Sequence, residues 1–267
     1  MNSLTKTKVQ KQLRLRVFAG PNGSGKSTVI YYVRKYKASG KGIDFGYYIN
    51  ADDIALTLRK NGFSFTPFDI AVSLKEFNAI AMESGLIGNE FPEIAFKKSF
   101  SLRSNLLQLK NPVAHERLAQ IVADFLRKKL LLEKKRFSFE TVFSHQGKLD
   151  IMKQAVEAGY KVYLYFVSTE SPEINKFRIL ARTRRGGHDV PADKVVSRYY
   201  RSLNLLYDAA QLSYQAYFFD NSVEGNDFKM FAHFKKRGDE KKWDKMKTSD
   251  IPEWFKTYYS KKIKSGE

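Results

Sequence analysis

An octapeptide near the start of the sequence constrains the fold of this chain more than any other feature. Residues 20–27 read GPNGSGKS and match the phosphate-loop pattern G-x-x-x-x-G-K-[ST] at every position. Residues 15–19 have the apolar content of a strand, and residues 28–36 are typical of a helix. In such a unit the backbone N–H groups of the loop surround a polyphosphate at the positive end of the helix dipole. The sequence therefore predicts a site for a nucleoside triphosphate.

The residue types inside this loop have different roles in holding a phosphate chain. Its glycines permit positive φ and a close approach of the backbone to the ligand. The Lys26 ammonium is expected to reach the β- and γ-phosphates, and the Ser27 hydroxyl is expected to bind Mg²⁺. The predicted nucleotide-binding residues are Gly20, Pro21, Asn22, Gly23, Ser24, Gly25, Lys26, Ser27 and Thr28.

The composition is that of a globular chain without cysteine. With 267 residues, of which 43% are hydrophobic and 14% aromatic, the chain can bury a core and form one domain, or one domain with a substantial appendage. The lack of cysteine excludes disulfides and thiolate metal sites and fits a reducing compartment. We find no apolar segment long enough for a signal peptide or a membrane span, so we expect a cytoplasmic protein with no membrane partner.

The formal charge of +19 indicates that the binding partners are anionic. Nucleotides, phosphorylated metabolites, nucleic acids and acidic proteins all meet this description. The basic clusters are dispersed along the chain and no nucleic-acid recognition module accompanies them, so we do not expect nucleic acid as the partner. The charge alone leaves an acidic protein partner open.

Strand-like and helix-like patterns alternate along most of the chain. After the first strand, further strands are predicted within residues 45–55, 137–144, 160–169 and 214–222. This alternation predicts an α/β fold, a P-loop NTPase three-layer fold with a mainly parallel sheet and helices on both faces. We expect this domain to span residues 1–226, with a helical insertion at about 57–112. A basic C-terminal extension at 227–267 is predicted to be helical.

The features around the phosphate loop favour a kinase over other triphosphate enzymes. The base-reading N-K-x-D of switch GTPases and the L-S-G-G-Q of transport ATPases are missing, as is the apolar strand ending in Asp-Glu of hydrolytic motors. Instead, an acidic turn follows the first helix, and an arginine-rich segment lies late in the chain. A small-molecule kinase needs an acid for the acceptor proton and arginines for the transferring phosphoryl group.

The order of several motifs resembles that of the zeta-toxin family of P-loop kinases, in particular its stand-alone branch. After the phosphate loop come NADDIA, FSFETVFS, AGYKVYLYFVST, RTRRGGHDVPADKVVSRYYRSL and FFDNS, over about residues 13–222. The resemblance implies ATP-dependent phosphorylation of a sugar-nucleotide hydroxyl, with UDP-N-acetylglucosamine the substrate of the toxin branch. It also implies that an antitoxin could be the acidic protein partner.

The resemblance makes Asp52 the catalytic base, which accepts the proton of the acceptor hydroxyl. Asp53 is the other candidate; we expect an extended segment here, in which adjacent side chains point in opposite directions, so only one of the two can face the site. Either aspartate could instead cap the helix that begins at IALTLRK.

Glu140 is a charged residue among aromatics in a predicted central strand. Burying its carboxylate is costly, so we expect it to have a hydrogen-bond or charge partner or a role in function. The resemblance makes Glu140 a substrate-binding acid, with Thr141 as a neighbouring polar contact. The alternative is an edge strand that exposes Glu140 to water.

The arginines late in the chain are predicted to form a lid over ATP. Arg178, Arg182 and Arg185 share one face if the helix continues that far, and the planar guanidinium suits phosphate. We assign Arg182 and Arg185 to catalysis and Arg178 to substrate binding, with residues 186–187 as the hinge. The alternative is a solvated basic face, which would also include Arg184.

Other polar residues receive structural interpretations. His188, in the sequence GGHDVP, is interpreted as structural rather than catalytic. Asp220, in the DNS that ends the last strand, could lie near the adenine or cap a turn. As second and third hypotheses, the chain is an ATP-binding regulatory or nucleic-acid-linked ATPase, or a non-catalytic nucleotide-binding partner.

Overall fold

The structure, a computed structural model, describes residues 12–187, 189–223, 225 and 228–265. Its strands are β1 (Arg14–Ala19), β2 (Lys37–Ala38), β3 (Lys41–Gly42), β4 (Tyr47–Ile49), β5 (Phe63–Ser64), β6 (Phe100–Arg103), β7 (Leu106–Leu109), β8 (Phe137–Thr141), β9 (Lys161–Ser168), β10 (Gln215–Asp220), β11 (Lys229–Arg237) and β12 (Glu240–Trp243). Its α-helices are α1 (Lys26–Lys35), α2 (Ala51–Asn61), α3 (Leu74–Met82), α4 (Glu93–Lys98), α5 (His115–Leu132), α6 (Gly147–Glu157), α7 (Pro172–Arg184), α8 (Ala192–Asn204), α9 (Leu206–Leu212), α10 (Glu253–Phe255) and α11 (Lys261–Ser265). Short 3-10 turns lie at Thr66–Phe68, Pro112–Ala114 and Thr248–Asp250, and a π-helical turn lies at Lys256–Ser260.

A seven-stranded sheet in the order β12-β11-β10-β9-β1-β8-β4 forms the centre of the molecule. From β4 to β10 every neighbouring pair is parallel, whereas β11 and β12 are antiparallel. The carboxyl ends of the five parallel strands therefore lie at one edge of the sheet, which is where α/β folds place their ligands. The predicted mainly parallel α/β fold is confirmed.

Alternation along the strands gives the sheet two apolar faces. In β8, Phe137 and Phe139 are buried in the larger core with α2, α5 and α6. In β1, Phe18 belongs to the opposite core with Val29 and Ile30 of α1. Helices therefore cover both faces, as the three-layer prediction requires. None of the described helices is long and apolar enough to cross a lipid bilayer.

The segment between α2 and α5, predicted to be helical, contains a small antiparallel sheet in the order β5-β7-β6 beside α3 and α4. Ser104 and Asn105 both have positive φ, at 47° and 64°, and form the tight turn that joins β6 to β7. The Asn105 side chain fixes this turn to the loop before α3, because it donates to the Ile70 carbonyl at 2.6 Å and accepts from the Val72 N–H at 2.8 Å. The insertion thus contains helices, as predicted, and in addition a small sheet that was not predicted from the sequence.

The C-terminal extension also differs from its helical prediction. It begins with β11 and β12, a hairpin that turns at Gly238 (φ 61°) and adds to the central sheet. Only then come the short helices, whose Trp254, Phe255 and Tyr259 are buried in the larger core. β11 pairs with β10 through the backbone, and its Phe231, Ala232 and Phe234 are buried in the larger core.

Candidate active site

The phosphate loop lies between β1 and α1, at the carboxyl edge of the sheet. Two of its glycines are required by their surroundings as well as by their conformation. Gly23 has φ 77°, and a Cβ there would lie 2.7 Å from the Asn175 carbonyl oxygen. Gly25 has φ 96°, and a Cβ there would overlap Nδ2 of Asn221. The loop is therefore packed tightly from outside, in the backbone conformation that opens its N–H groups toward a phosphate.

Lys26 is the residue on which the charged groups of the site converge. Its side chain is only 8% exposed, and Nζ donates a hydrogen bond of 2.9 Å to the Pro21 carbonyl. Burial lowers the pKa of Lys26. The carboxylates of Glu140 and Asp52 raise this pKa, and the Arg182 guanidinium lowers it further. The structure thus brings together three separately predicted site residues around this ammonium group.

The first turn of α1 presents the hydroxyl residues of the motif to solvent. Ser27 and Thr28 are exposed, and no side chain caps the N-terminus of α1. No cluster of three His, Asp or Glu side chains among the described residues could hold a metal ion. A Mg²⁺ ion at this position would rest on the Ser27 hydroxyl and on phosphate oxygens, which is the way proteins commonly hold it.

Asp52 and Asp53 lie in the first turn of α2, and neither caps the helix. Asn50 is the N-cap, and its Oδ1 accepts from the Asp52 N–H at 2.8 Å. The expectation of an extended segment was also wrong, because the two aspartates lie about 100° apart around a helix. The Asp52 carboxylate raises the pKa of Lys26. The pKa of Asp53, by contrast, is raised by burial and then by the charge of Asp52, while the Arg34 guanidinium lowers it. Asp52 is therefore the aspartate on the phosphate-loop side, and its role as a base stays a prediction.

Glu140 lies on a central strand, so the edge-strand alternative is wrong: β8 pairs with both β1 and β4. Its Oε2 accepts hydrogen bonds of 3.2 Å from the Tyr48 hydroxyl and from Nδ2 of Asn50. Burial and the neighbouring Glu140 carboxylate raise the pKa of Tyr48, so this hydroxyl remains a donor at neutral pH. The Glu140 carboxylate is thus held in a fixed orientation close to Lys26.

The Thr141 side chain stabilises the turn after β8 and does not take part in the hydrogen bonds that hold Glu140. Its Oγ1 accepts from the Phe143 N–H at 3.1 Å, and Phe143 has a positive φ of 59°. Successive side chains of a strand point to opposite faces, so Thr141 and Glu140 diverge. Contact of Thr141 with a substrate stays a prediction.

The three predicted lid arginines line one cavity of about 390 Å³ beside α7. Its lining residues are Phe177, Arg178, Ala181, Arg182, Arg185 and Gly187. Arg178 has a buried Nη1 without a hydrogen-bond partner in the described residues, and Arg182 reaches Lys26 electrostatically. Arg185 is the C-cap of α7, and Gly186 next to it has φ 83°. Arg184 does not line this cavity, and His188 lies outside the described residues.

Several residues of the site were missed from the sequence. Asn221 donates from Nδ2 to the Ser24 carbonyl at 2.9 Å, and its backbone N–H donates to the Ser168 carbonyl at 2.9 Å. It therefore supports the phosphate loop from the end of β10. Tyr48 and Asn50 orient Glu140. Asn50 and Asn221 lie in the NADDIA and FFDNS motifs, but neither of them was assigned a role from the sequence, and Tyr48 was marked only by its position in a predicted strand.

Comparison with known proteins gives a match in fold. The chain is similar to solved structures of the AvrRxo1-ORF1:AvrRxo1-ORF2 complex. For the complex with sulphate ions the TM-score is 0.52 at 15% identity, over 86% of this chain and 60% of that chain. For the complex with ATP it is 0.51 at 16% identity, with the same coverage. These matches agree with the mainly parallel α/β fold predicted from the sequence.

Sequence comparison adds less. No family model matches the chain. An uncharacterized protein of Haemophilus influenzae is 38% identical over 63 residues, which are 24% of this chain and 45% of that protein. The chain thus spans about 60% of the matched AvrRxo1 complex chains, and its match spans less than half of the Haemophilus protein.

Proposed function

We propose that the protein is an ATP-dependent kinase of the zeta-toxin type, which transfers the γ-phosphoryl group of ATP to a hydroxyl of a small acceptor. The observation that carries this proposal is the convergence of Asp52, Glu140 and Arg182 on Lys26 beside the phosphate loop. A carboxylate beside the lysine that holds the γ-phosphate is in a position to accept the proton of an acceptor hydroxyl. The solved complex of AvrRxo1-ORF1:AvrRxo1-ORF2 with ATP, which shares the fold, supports ATP as the nucleotide.

The phosphate loop and the arginines bind the triphosphate. Lys26 exchanges its bond to the Pro21 carbonyl for the β- and γ-phosphates, and the loop N–H groups hold the phosphate chain. Arg182 and Arg185 stabilise the charge that develops during transfer, and the unpartnered Nη1 of Arg178 is suited to a phosphate oxygen. When bound at Ser27, Mg²⁺ would neutralise part of the phosphate charge.

The two carboxylates act on the acceptor. Asp52 takes the proton of the acceptor hydroxyl as that oxygen bonds to the γ-phosphorus and the bond to the β-phosphate oxygen breaks, releasing ADP. Glu140, held by Tyr48 and Asn50, accepts a hydrogen bond from a second hydroxyl and so positions the acceptor. Thr141 is a further proposed acceptor contact.

The proposed acceptor is a sugar nucleotide such as UDP-N-acetylglucosamine. The resemblance of the motifs to zeta toxins supports this class, as does a carboxylate in the position of Glu140, because carboxylates commonly bind sugar hydroxyls. We also propose an antitoxin as a protein partner. The chain is strongly basic, at +19, and the AvrRxo1 structures that share the fold are two-protein complexes.

The alternative is an ATP-binding regulatory or nucleic-acid-linked ATPase, which the same excess of positive charge favours. One experiment separates the two proposals: ADP release from Mg·ATP is measured with a panel of sugar nucleotides and, separately, with RNA and DNA at several salt concentrations. The kinase proposal predicts stimulation by a small acceptor alone. Stimulation by nucleic acid alone, falling steeply with salt, would replace it with the alternative.

A further inference from the structure

We propose that the C-terminal extension positions the phosphate loop: Trp254 fixes Asp220 by a hydrogen bond, and the next residue in the chain, Asn221, donates a hydrogen bond to Ser24 in the loop. This inference rests on the proposed role of residues 20–27 in binding ATP. The inference goes beyond that role because the C-terminal extension follows the part of the chain that resembles a P-loop kinase.

The first link joins the extension to the end of β10. The indole N–H of Trp254 donates to Oδ1 of Asp220 at 2.9 Å. Trp254 is 2% exposed, and its ring packs against Phe166 of β9 and Phe231 of β11, with centroid distances of 6.0 and 5.5 Å. The indole is thus held on two strands while its N–H reaches the edge where the parallel strands end.

A closed ring of hydrogen bonds fixes Asp220. Oδ1 of Asp220 also accepts from the Ser222 hydroxyl at 2.7 Å, and Ser222 Oγ accepts from the Glu170 N–H at 2.9 Å. The Glu170 carboxylate in turn accepts from the backbone N–H groups of Glu253 and Trp254, at 3.1 and 3.4 Å. The ring therefore returns to Trp254, and it ties the ends of β9 and β10 to the start of α10.

Asn221 lies between Asp220 and Ser222 in the DNS sequence, and both of these neighbours belong to the ring of hydrogen bonds. Its backbone is fixed by the bond from its N–H to the Ser168 carbonyl, and its side chain donates to the Ser24 carbonyl in the phosphate loop. The same amide group lies where a Cβ on Gly25 would be. A shift of Asp220 and Ser222 therefore moves the group that packs directly on the phosphate loop.

The two tryptophans of the chain offer a matched test. Trp254→Phe keeps a buried aromatic ring but removes the indole N–H that donates a hydrogen bond to Asp220. Trp243→Phe makes the same change in β12, where the ring packs on Phe234 at 4.8 Å and the indole N–H has no hydrogen-bond partner among the described residues. Both variants are compared with wild type for melting temperature, for Mg·ATP affinity by calorimetry, and for amide hydrogen exchange of residues 22–28 without nucleotide.

The proposal predicts that Trp254→Phe weakens Mg·ATP binding about two- to tenfold, the worth of one hydrogen bond. It also predicts faster exchange of residues 22–28, whereas Trp243→Phe matches wild type in both. Asn221→Ala should give the same two effects, and Trp254→Phe should add little on the Asn221→Ala background. Unchanged affinity and exchange in Trp254→Phe would overturn the proposal, and so would equal changes in both tryptophan variants. If wild type binds no Mg·ATP, the proposed function fails, while the exchange rates still decide whether Trp254 positions the loop.

Discussion

The Tyr48 hydroxyl donates a hydrogen bond of 3.2 Å to Oε2 of Glu140, so that a tyrosine of β4 orients a carboxylate on the neighbouring strand β8. Asn50 donates to the same oxygen. Oε1 receives neither of these bonds and has no hydrogen-bond partner among the described residues, so it can accept from a ligand. The arrangement suits a carboxylate that binds a hydroxyl of the acceptor rather than one that forms a structural ion pair.

Replacing Glu140 by glutamine should therefore impair acceptor binding more than ATP binding. A hydrogen bond to a charged group contributes about 1.5–3 kcal/mol, so the KM for the acceptor should rise roughly ten- to a hundredfold. Steady-state kinetics with each substrate varied in turn measure the effect. Glu157→Gln, on an exposed position of α6, is the control and should behave as wild type. An equal rise in both KM values would argue against an acceptor role for Glu140.

Asp52 and Asp53 should differ sharply in their effect on kcat. Asp52→Asn removes the proposed base and should lower kcat by about a hundred- to ten-thousandfold, with little change in Mg·ATP affinity. Asp53→Asn is the matched control, because Asp53 interacts with Arg34 instead of Lys26. We expect kcat within about threefold of wild type for this control. If Asp53→Asn proves the more damaging variant, the assignment of the base is wrong.

Gly25→Ala should disrupt nucleotide binding through a collision and not only through backbone strain. A non-glycine residue at positive φ costs about 1–2 kcal/mol by itself, and here the added Cβ also overlaps the Asn221 amide. Gly40→Ala has the same kind of φ, 76°, with nothing within 4 Å of the added Cβ, so it isolates the strain. Calorimetry should show a loss of Mg·ATP affinity of at least about tenfold for Gly25→Ala alone. Equal affinities for the two variants would contradict the tight packing of the loop.

The stability of the protein should rise with pH above neutrality because of Lys148, at the start of α6. Burial, and then the Arg127 guanidinium, lower the pKa of Lys148 to about 7, although Asp124 opposes this. Between pH 7 and the ordinary lysine range the unfolded chain binds a proton that the folded protein does not. The free energy of unfolding should therefore increase with pH in that window, by up to about 1.4 kcal/mol per pH unit.

Urea unfolding of wild type and Lys148→Met at pH 7, 8 and 9 tests this dependence. Lys148→Met should be more stable than wild type at pH 7, and its advantage should shrink as the pH rises. Lys153→Met, on an exposed position of the same helix, is the control and should follow wild type. A constant difference between wild type and Lys148→Met across this range would show that the Lys148 proton is not involved.

The sequence was sufficient for the parts of the molecule that local patterns determine. The phosphate loop, the parallel sheet and the position of Asp52 after a strand follow from short motifs and strand alternation. The contact between Asn221 and Ser24 joins residues 197 positions apart, and no local pattern indicates it. The turn at Ser104 and Asn105 was missed because its residues lack the glycine that usually marks such a hairpin.

The most direct test of the account is transfer of label from γ-labelled ATP, with Mg²⁺, into a panel of sugar nucleotides that includes UDP-N-acetylglucosamine. Wild type, Lys26→Ala and Asp52→Asn are compared, with Asp53→Asn as the control variant. We expect label in a sugar-nucleotide hydroxyl with wild type and Asp53→Asn, and almost none with Lys26→Ala or Asp52→Asn. ATP binding without label in any acceptor, or transfer that Asp52→Asn leaves intact, would contradict this expectation.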